Sequence, residues 1–110
     1  LSSVHAMLRD DGLVGVVQHR APESAADDWA DGSHGYLKQT AVIASFEQAG
    51  FKLVATSEIN ANPKDRPSDA DGVWRLPPSL RGSENDPRLR EANLAIGESD
   101  RMTLLFRKAP

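Results

Sequence analysis

The chain has 110 residues, 13 Lys and Arg against 16 Asp and Glu, a formal charge of −3, 39% hydrophobic residues and no cysteine. That length holds one domain or less, and the apolar share is too high for a chain disordered by composition. Scattered cations argue against a nucleic-acid surface, the lack of cysteine removes disulfides and thiolate zinc sites and makes a reducing cytoplasm the default compartment, and no stretch approaches the roughly 18 apolar residues of a membrane span.

Residues 2–9 read as the end of a helix, with Val4, Met7 and Leu8 at helical spacing and Gly12 as a left-handed stop. Leu13 to Val17 is a near-continuous apolar run, the pattern of a strand buried on both faces of a parallel sheet. Gly15 within it predicts a close approach by another part of the molecule. Residues 21–33 form a loop with Pro22 and the acids Glu23, Asp27, Asp28 and Asp31. A helix is expected to start near Ser33 or His34. Val42, Ile43, Phe46 and Ala49 would share its apolar face, and Gly50 would stop it with Phe51 closing onto Phe46. Phe51 to Ile59 reads as a strand.

Residues 60–100 carry five prolines and few apolar runs, which predicts a long lid-like excursion. One short helix is expected within it after Asp86, with Pro87 at its first position and Leu89, Ala92, Leu94 and Ile96 on its apolar side. Trp74 with Leu76, Pro77 and Pro78 reads as the apolar anchor of that excursion. Residues 101–108 form a closing strand.

The order strand, helix, strand makes the first two long strands parallel, and the last can return antiparallel. The expected fold is α/β, a partial doubly wound sheet with two parallel strands around a crossover helix plus an antiparallel C-terminal strand. In such sheets ligands bind beyond the carboxyl ends of the parallel strands. That rule selects Gln18, His19 and Arg20, then Glu58, Ile59, Asn60 and Asn62, then Glu98, Ser99, Asp100 and Arg101. Nearly all the irregular sequence would emerge at this one rim.

The strings Gly-Val-Val-Gln-His-Arg-Ala (15–21), Asp-Gly-Ser-His-Gly-Tyr-Leu-Lys-Gln (31–39), Ser-Glu-Ile-Asn-Ala-Asn-Pro-Lys-Asp (57–65), Gly-Val-Trp-Arg-Leu-Pro-Pro (72–78) and Ala-Ile-Gly-Glu-Ser-Asp-Arg-Met-Thr-Leu (95–104) carry a family likeness. With the order of elements, they resemble the C-terminal half of class I S-adenosylmethionine-dependent methyltransferases, and more narrowly an uncharacterised bacterial family described as predicted methyltransferases. The resemblance implies a Rossmann-like sheet in which the last strand inserts antiparallel between two parallel ones. It implies a small-molecule substrate and S-adenosylmethionine as cofactor of the full-length protein. It also implies that the cofactor-binding half is not in this chain, which has no G-x-G-x-x-G turn after a strand. Residues 1–110 are then the C-terminal portion of a methyltransferase-like domain: 1–59 the helix end, strand, helix and strand, 60–100 the excursion, and 101–108 the closing strand.

His19, at the end of a buried strand, is the candidate general base. Arg20 is a candidate anion-binding residue, its structural role being to pair the acids of the 23–31 loop. His34 and Tyr36 precede the expected helix start, where backbone N–H groups favour anions. Asn60 and Asn62 are candidate substrate hydrogen-bonders in an ordinary turn sequence, and Arg101 completes the substrate-facing set, unless Glu98, Asp100 and Arg101 form a local ion-pair group. No cofactor or metal site is expected in the chain. His5, His19 and His34 match no ligand spacing, and Asp69 to Gly72 is a turn rather than a calcium loop. The rival reading is a non-catalytic α/β oligomerisation or binding module, in which copies pair through the exposed edge of the first strand. Neither nucleic acid nor membrane is an expected partner.

Overall fold

The computed structural model describes residues 1–110. Helix α1 spans Ser2–Met7, strand β1 Leu13–Ala21, strand β2 Leu37–Lys38, helix α2 Gln39–Gln48, strand β3 Phe51–Ser57, helix α3 Pro87–Ile96 and strand β4 Arg101–Lys108, with a short 3₁₀ turn at Val73–Arg75. The strands form one open, mixed α/β sheet in the order β2-β1-β4-β3. β4 runs antiparallel to both β1 and β3, from Leu13 opposite Arg107 to His19 opposite Arg101 on one side and from Phe51 opposite Lys108 to Ser57 opposite Thr103 on the other. β1 and β3 therefore point the same way with β4 between them. β2 pairs in parallel with β1 at Arg20 and Ala21.

Alternation sorts the sheet into two faces. Met102, Leu104 and Phe106 of β4 are buried on one face, beneath Val42 and Phe46 of α2 and beside Phe51, with Val14 and Val16 of β1 packed against them. The α2 stripe lies where its periodicity places it. Gly50 stops the helix at φ 92°, where any Cβ would be strained, and Phe51 meets Phe46 edge-on at 5.5 Å. The predicted closing strand and the Pro87 helix start are also found, with Asp86 capping α3 by accepting from the Leu89 N–H.

The opposite face corrects the reading of β1. Leu13 and Val17 are more than half exposed, and nothing lies within 4 Å of where a Gly15 Cβ would be. The apolar run is therefore covered on one face only, because no helix packs on the other. Only near the rim is that second face covered, by a cluster of Ala21, Trp29, Ala30, Tyr36 and Val73. Two of these, Trp29 and Ala30, come from the loop read as merely acidic.

Other expectations also change. Gly12 does not take a left-handed conformation, and Leu8 ends α1 in an extended one. α2 starts at Gln39, not near Ser33, because Gly32 and Gly35 take φ of 98° and 84° and the chain then pairs with β1. Gly35 is also required sterically, since a Cβ there would clash with Val73 Cγ1. In α3 the buried residue is Asn93, whereas Leu89 and Leu94 point to solvent. In the excursion Val73 and Leu76 are the buried anchors, and Trp74 is 43% exposed. No helix is long and apolar enough to cross a membrane.

Candidate functional site

The carboxyl ends of β1 and β3 and the start of β4 converge at one rim, and hydrogen bonds lock them together. Arg20 lies on the α2 side. Its Nε and Nη2 donate to the two oxygens of Asp100 at 3.0 Å each, its Nη1 and Nη2 donate to the two oxygens of Glu58 at 3.2 and 2.8 Å, and Nη1 also donates to Gln39 at 2.9 Å. All five guanidinium donors are thus engaged. Their carboxylate bonds, Asp100 first and Glu58 next, raise the Arg20 pKa, and Arg20 in turn lowers that of Glu58. The pairing is with Asp100 and Glu58, not with the 23–31 loop. As it stands Arg20 clamps β1 to β4 and to the end of β3, with no donor left for an anion.

Asp100 passes the network inward. Its Oδ1 accepts from the Asn62 N–H at 2.8 Å, and its own N–H donates to Asp65 Oδ2 at 2.9 Å. Asp65 is buried and also accepts from the Tyr36 hydroxyl at 2.8 Å and from Arg75 Nη2 at 2.9 Å. Arg75 Nη1 donates to the same hydroxyl at 3.0 Å. Burial, with Asp65 beside it, pushes the Tyr36 hydroxyl pKa upward. Tyr36 is wholly buried and holds the 60–100 excursion against the sheet. The strand β2 separates it from the start of α2, and His34 lies further back, before Gly35. The His34 ring stacks on Trp29 at 5.2 Å, and its Nδ1 lies 3.1 Å from the Trp29 carbonyl.

Asn60 donates from its side chain to Thr103 Oγ1 at 2.9 Å. Asn62 donates to the carbonyls of Ile96 and Glu98 at 2.7 Å each, and its oxygen accepts from the Lys64 N–H. Both asparagines therefore fasten the excursion to the rim. They line a more open hollow beside Glu98 and Arg101.

His19 and Arg101 stand directly opposite each other in the β1–β4 register, on the face away from α2. Cross-strand neighbours of this kind have Cβ atoms about 5 Å apart. Both line a hollow of about 170 Å³ whose other wall includes Trp74, Leu76, Pro77 and Pro78. His19 Nδ1 hydrogen-bonds Ser99 Oγ, and its ring meets Tyr36 edge-on at 6.3 Å. Burial first, and the positive charge of Arg101 second, lower the His19 pKa, while Asp65 pulls it the other way. Burial and Arg101 together favour the neutral imidazole, the form that can accept a proton. When Nδ1–H donates to Ser99 Oγ, the lone pair lies on Nε2, which bonds no protein group.

Of the residues picked from the sequence, the rim brings together His19, Arg20, Asn60, Asn62 and Arg101. Tyr36 joins them from beneath, and His34 lies apart against Trp29. Asp65 and Arg75 are not among the residues that the strand-end rule selects. Ser99, which that rule selects without a role, is the partner of the His19 ring. No three His, Asp or Glu side chains are grouped so as to hold a metal ion. No family model matches the chain, and no curated protein or solved structure is similar enough to it to show a relationship.

Proposed function

We propose that this chain is the substrate-side part of an S-adenosylmethionine-dependent methyltransferase of the Rossmann-like class. The observation that supports the reading most is the strand order: two parallel strands joined through α2, with the C-terminal strand antiparallel between them. The polar cluster at the carboxyl rim of those strands lies where such sheets hold their ligands. The sheet is also one-sided, with Leu13, Gly15 and Val17 bare and the outer edge of β1 unpaired before Arg20. The radius of gyration, 16.0 Å, exceeds the roughly 13 Å of a compact domain of this length. Both features suit a sheet that continues beyond β1.

On this reading the cofactor is held mainly by residues outside this chain. The sequence carries no G-x-G-x-x-G turn after a strand, which supports that division. The share of the reaction proposed here is binding the methyl acceptor and taking its proton. His19 accepts the proton at Nε2, Ser99 holds the ring, and Arg101 faces the acceptor. Arg20, Asp100 and Asp65 act through these groups, fixing the three strand ends in place.

The test is calorimetric titration of S-adenosylmethionine into this chain and into a longer protein that contains it. Binding to the longer protein alone is expected. Binding to neither sinks the reading, and binding to the short chain alone shows the cofactor site misplaced. A second reading, a non-catalytic module that assembles through strand pairing, is favoured by the open β1 edge. It predicts a concentration-dependent dimer of this chain that Val17→Pro, which removes an outward-facing N–H from the β1 edge, abolishes.

A further inference from the structure

We propose that the hollow between His19 and Trp74 is a binding site for a small hydroxylated aromatic monocarboxylate, with the carboxylate on Arg101 and the hydroxyl at His19 Nε2. The inference rests on the methyl-transfer reading for the use of the site, and on geometry for its occupant.

The case for a carboxylate comes from comparing the two rim arginines. On Arg20 the side-on edge, Nε with Nη2, is filled bidentately by Asp100. On Arg101 the same edge is half filled. Nη2 donates to Glu98 Oε2 at 3.0 Å, while Nε is buried with no acceptor. Glu98 is mostly exposed, its side chain at 75%. A buried N–H without a partner is unfavourable. A carboxylate entering the hollow would displace the weakly held Glu98 and complete the fork that Asp100 completes on Arg20, the geometry in which an arginine binds a carboxylate best.

The case for an aromatic ring comes from size and lining. About 170 Å³ is close to the roughly 150 Å³ of a cavity that admits benzene. The wall facing the polar pair is Trp74 with Pro77 and Pro78, and Trp74 offers an exposed indole to a flat partner. The case for a hydroxyl is His19. Its Nδ1 is occupied by Ser99, its other nitrogen is free, and it stands across the strand pair from Arg101. A ring carrying a carboxylate at one end and a hydroxyl at the other spans both groups.

The test is isothermal titration of 4-hydroxybenzoate, benzoate and phenol into this chain, followed also by tryptophan emission. Saturable binding of 4-hydroxybenzoate is expected, with benzoate and phenol each weaker. Arg101→Met should weaken it at least about tenfold, as for loss of a bidentate charged pair. Arg101→Lys, which keeps the charge without the fork, should also weaken it, and it serves if the Met variant does not fold. Glu98→Gln should tighten binding, because it removes the internal competitor. Absence of saturable binding by the unaltered chain, unchanged affinity in the folded Arg101 variants, or weaker binding in Glu98→Gln overturns the inference. The two readings separate cleanly. If the acid binds as described but neither this chain nor a longer protein that contains it binds S-adenosylmethionine, the methyl-transfer reading falls and the site stands. If that longer protein methylates other acceptors while this chain ignores aromatic acids, the site assignment falls.

Discussion

The two ends of the sheet are held together by different physics. Toward the start of β1, the structure rests on burial: Phe106, Leu104, Phe51 and Phe46 pack into one apolar cluster under α2. At the rim a smaller apolar cluster around Trp29 and Tyr36 is tied in by a polar network, in which Arg20, Asp100, Asp65, Tyr36 and Arg75 join segments that are far apart in the chain. The first kind of contact tolerates reshaping at a graded cost. The second requires each donor and acceptor to be met, because an unpaired buried charge is far costlier than a lost methylene. A site that must hold His19 and Arg101 in fixed relation is better served by the second.

The sharpest way to break this contrast is at the apolar end. Phe106 is fully buried and stacks on Phe46 at 4.3 Å. Phe106→Ala should cost about 4 kcal/mol in denaturant unfolding, enough to unfold much of a small domain. At the rim, Asp65→Ala leaves Arg75 and the Tyr36 hydroxyl without their acceptor and should cost about 3 kcal/mol. It should also release the excursion, so limited proteolysis should cut within 60–100 in this variant and not in Phe106→Leu. Equal protease resistance in both would show that the network does not hold the excursion.

A smaller effect concerns pH. His19 has a folded pKa below its ordinary value of 6.5, so the unfolded chain binds the proton more readily. The stability linked to its neutral form is complete above that ordinary value and is lost as pH falls through the lowered one. Unfolding midpoints measured from neutral pH down to about pH 5 should decline, and His19→Gln should flatten the decline. The smallest effect is expected at Glu58, whose side chain is 67% exposed. Glu58→Gln removes one carboxylate from Arg20, and solvent screening should limit the loss to about 0.5 kcal/mol. A loss as large as that of Asp65→Ala would erase the distinction between the rim's buried and exposed acids.

The apolar end was largely legible in the sequence. The Val42–Phe46–Ala49 stripe, the Gly50 stop and the β4 run each carry their meaning within a few residues. The rim was legible as a place but not as a mechanism. The strand-end rule brought His19, Arg20, Asn60, Asn62 and Arg101 together, yet it could not say that Arg20 would be saturated and Arg101 left half free. That depends on Asp100 and Asp65, whose partners lie up to 80 residues away. Asp65 reads locally as a turn residue, and Trp29 is hidden among acids. The helix expected to start near Ser33 is delayed by two left-handed glycines and by the pairing of Leu37 and Lys38 with β1. The apolar run of β1 suited double burial, but a sequence does not say which covering layers its own chain supplies.

The β3 edge has its own consequence. The register slips between Leu53 and Ala55, so Val54 bulges out of the ladder, and Lys52 lies exposed beside it. A bulge and a lysine make a poor template for another strand. The straight outer edge of β1 from Leu13 to His19 has neither defence. The sheet is therefore directional: it is finished on one side and can be extended flat only on the other, so any added strand lies next to His19 and not behind α2's connection to β3.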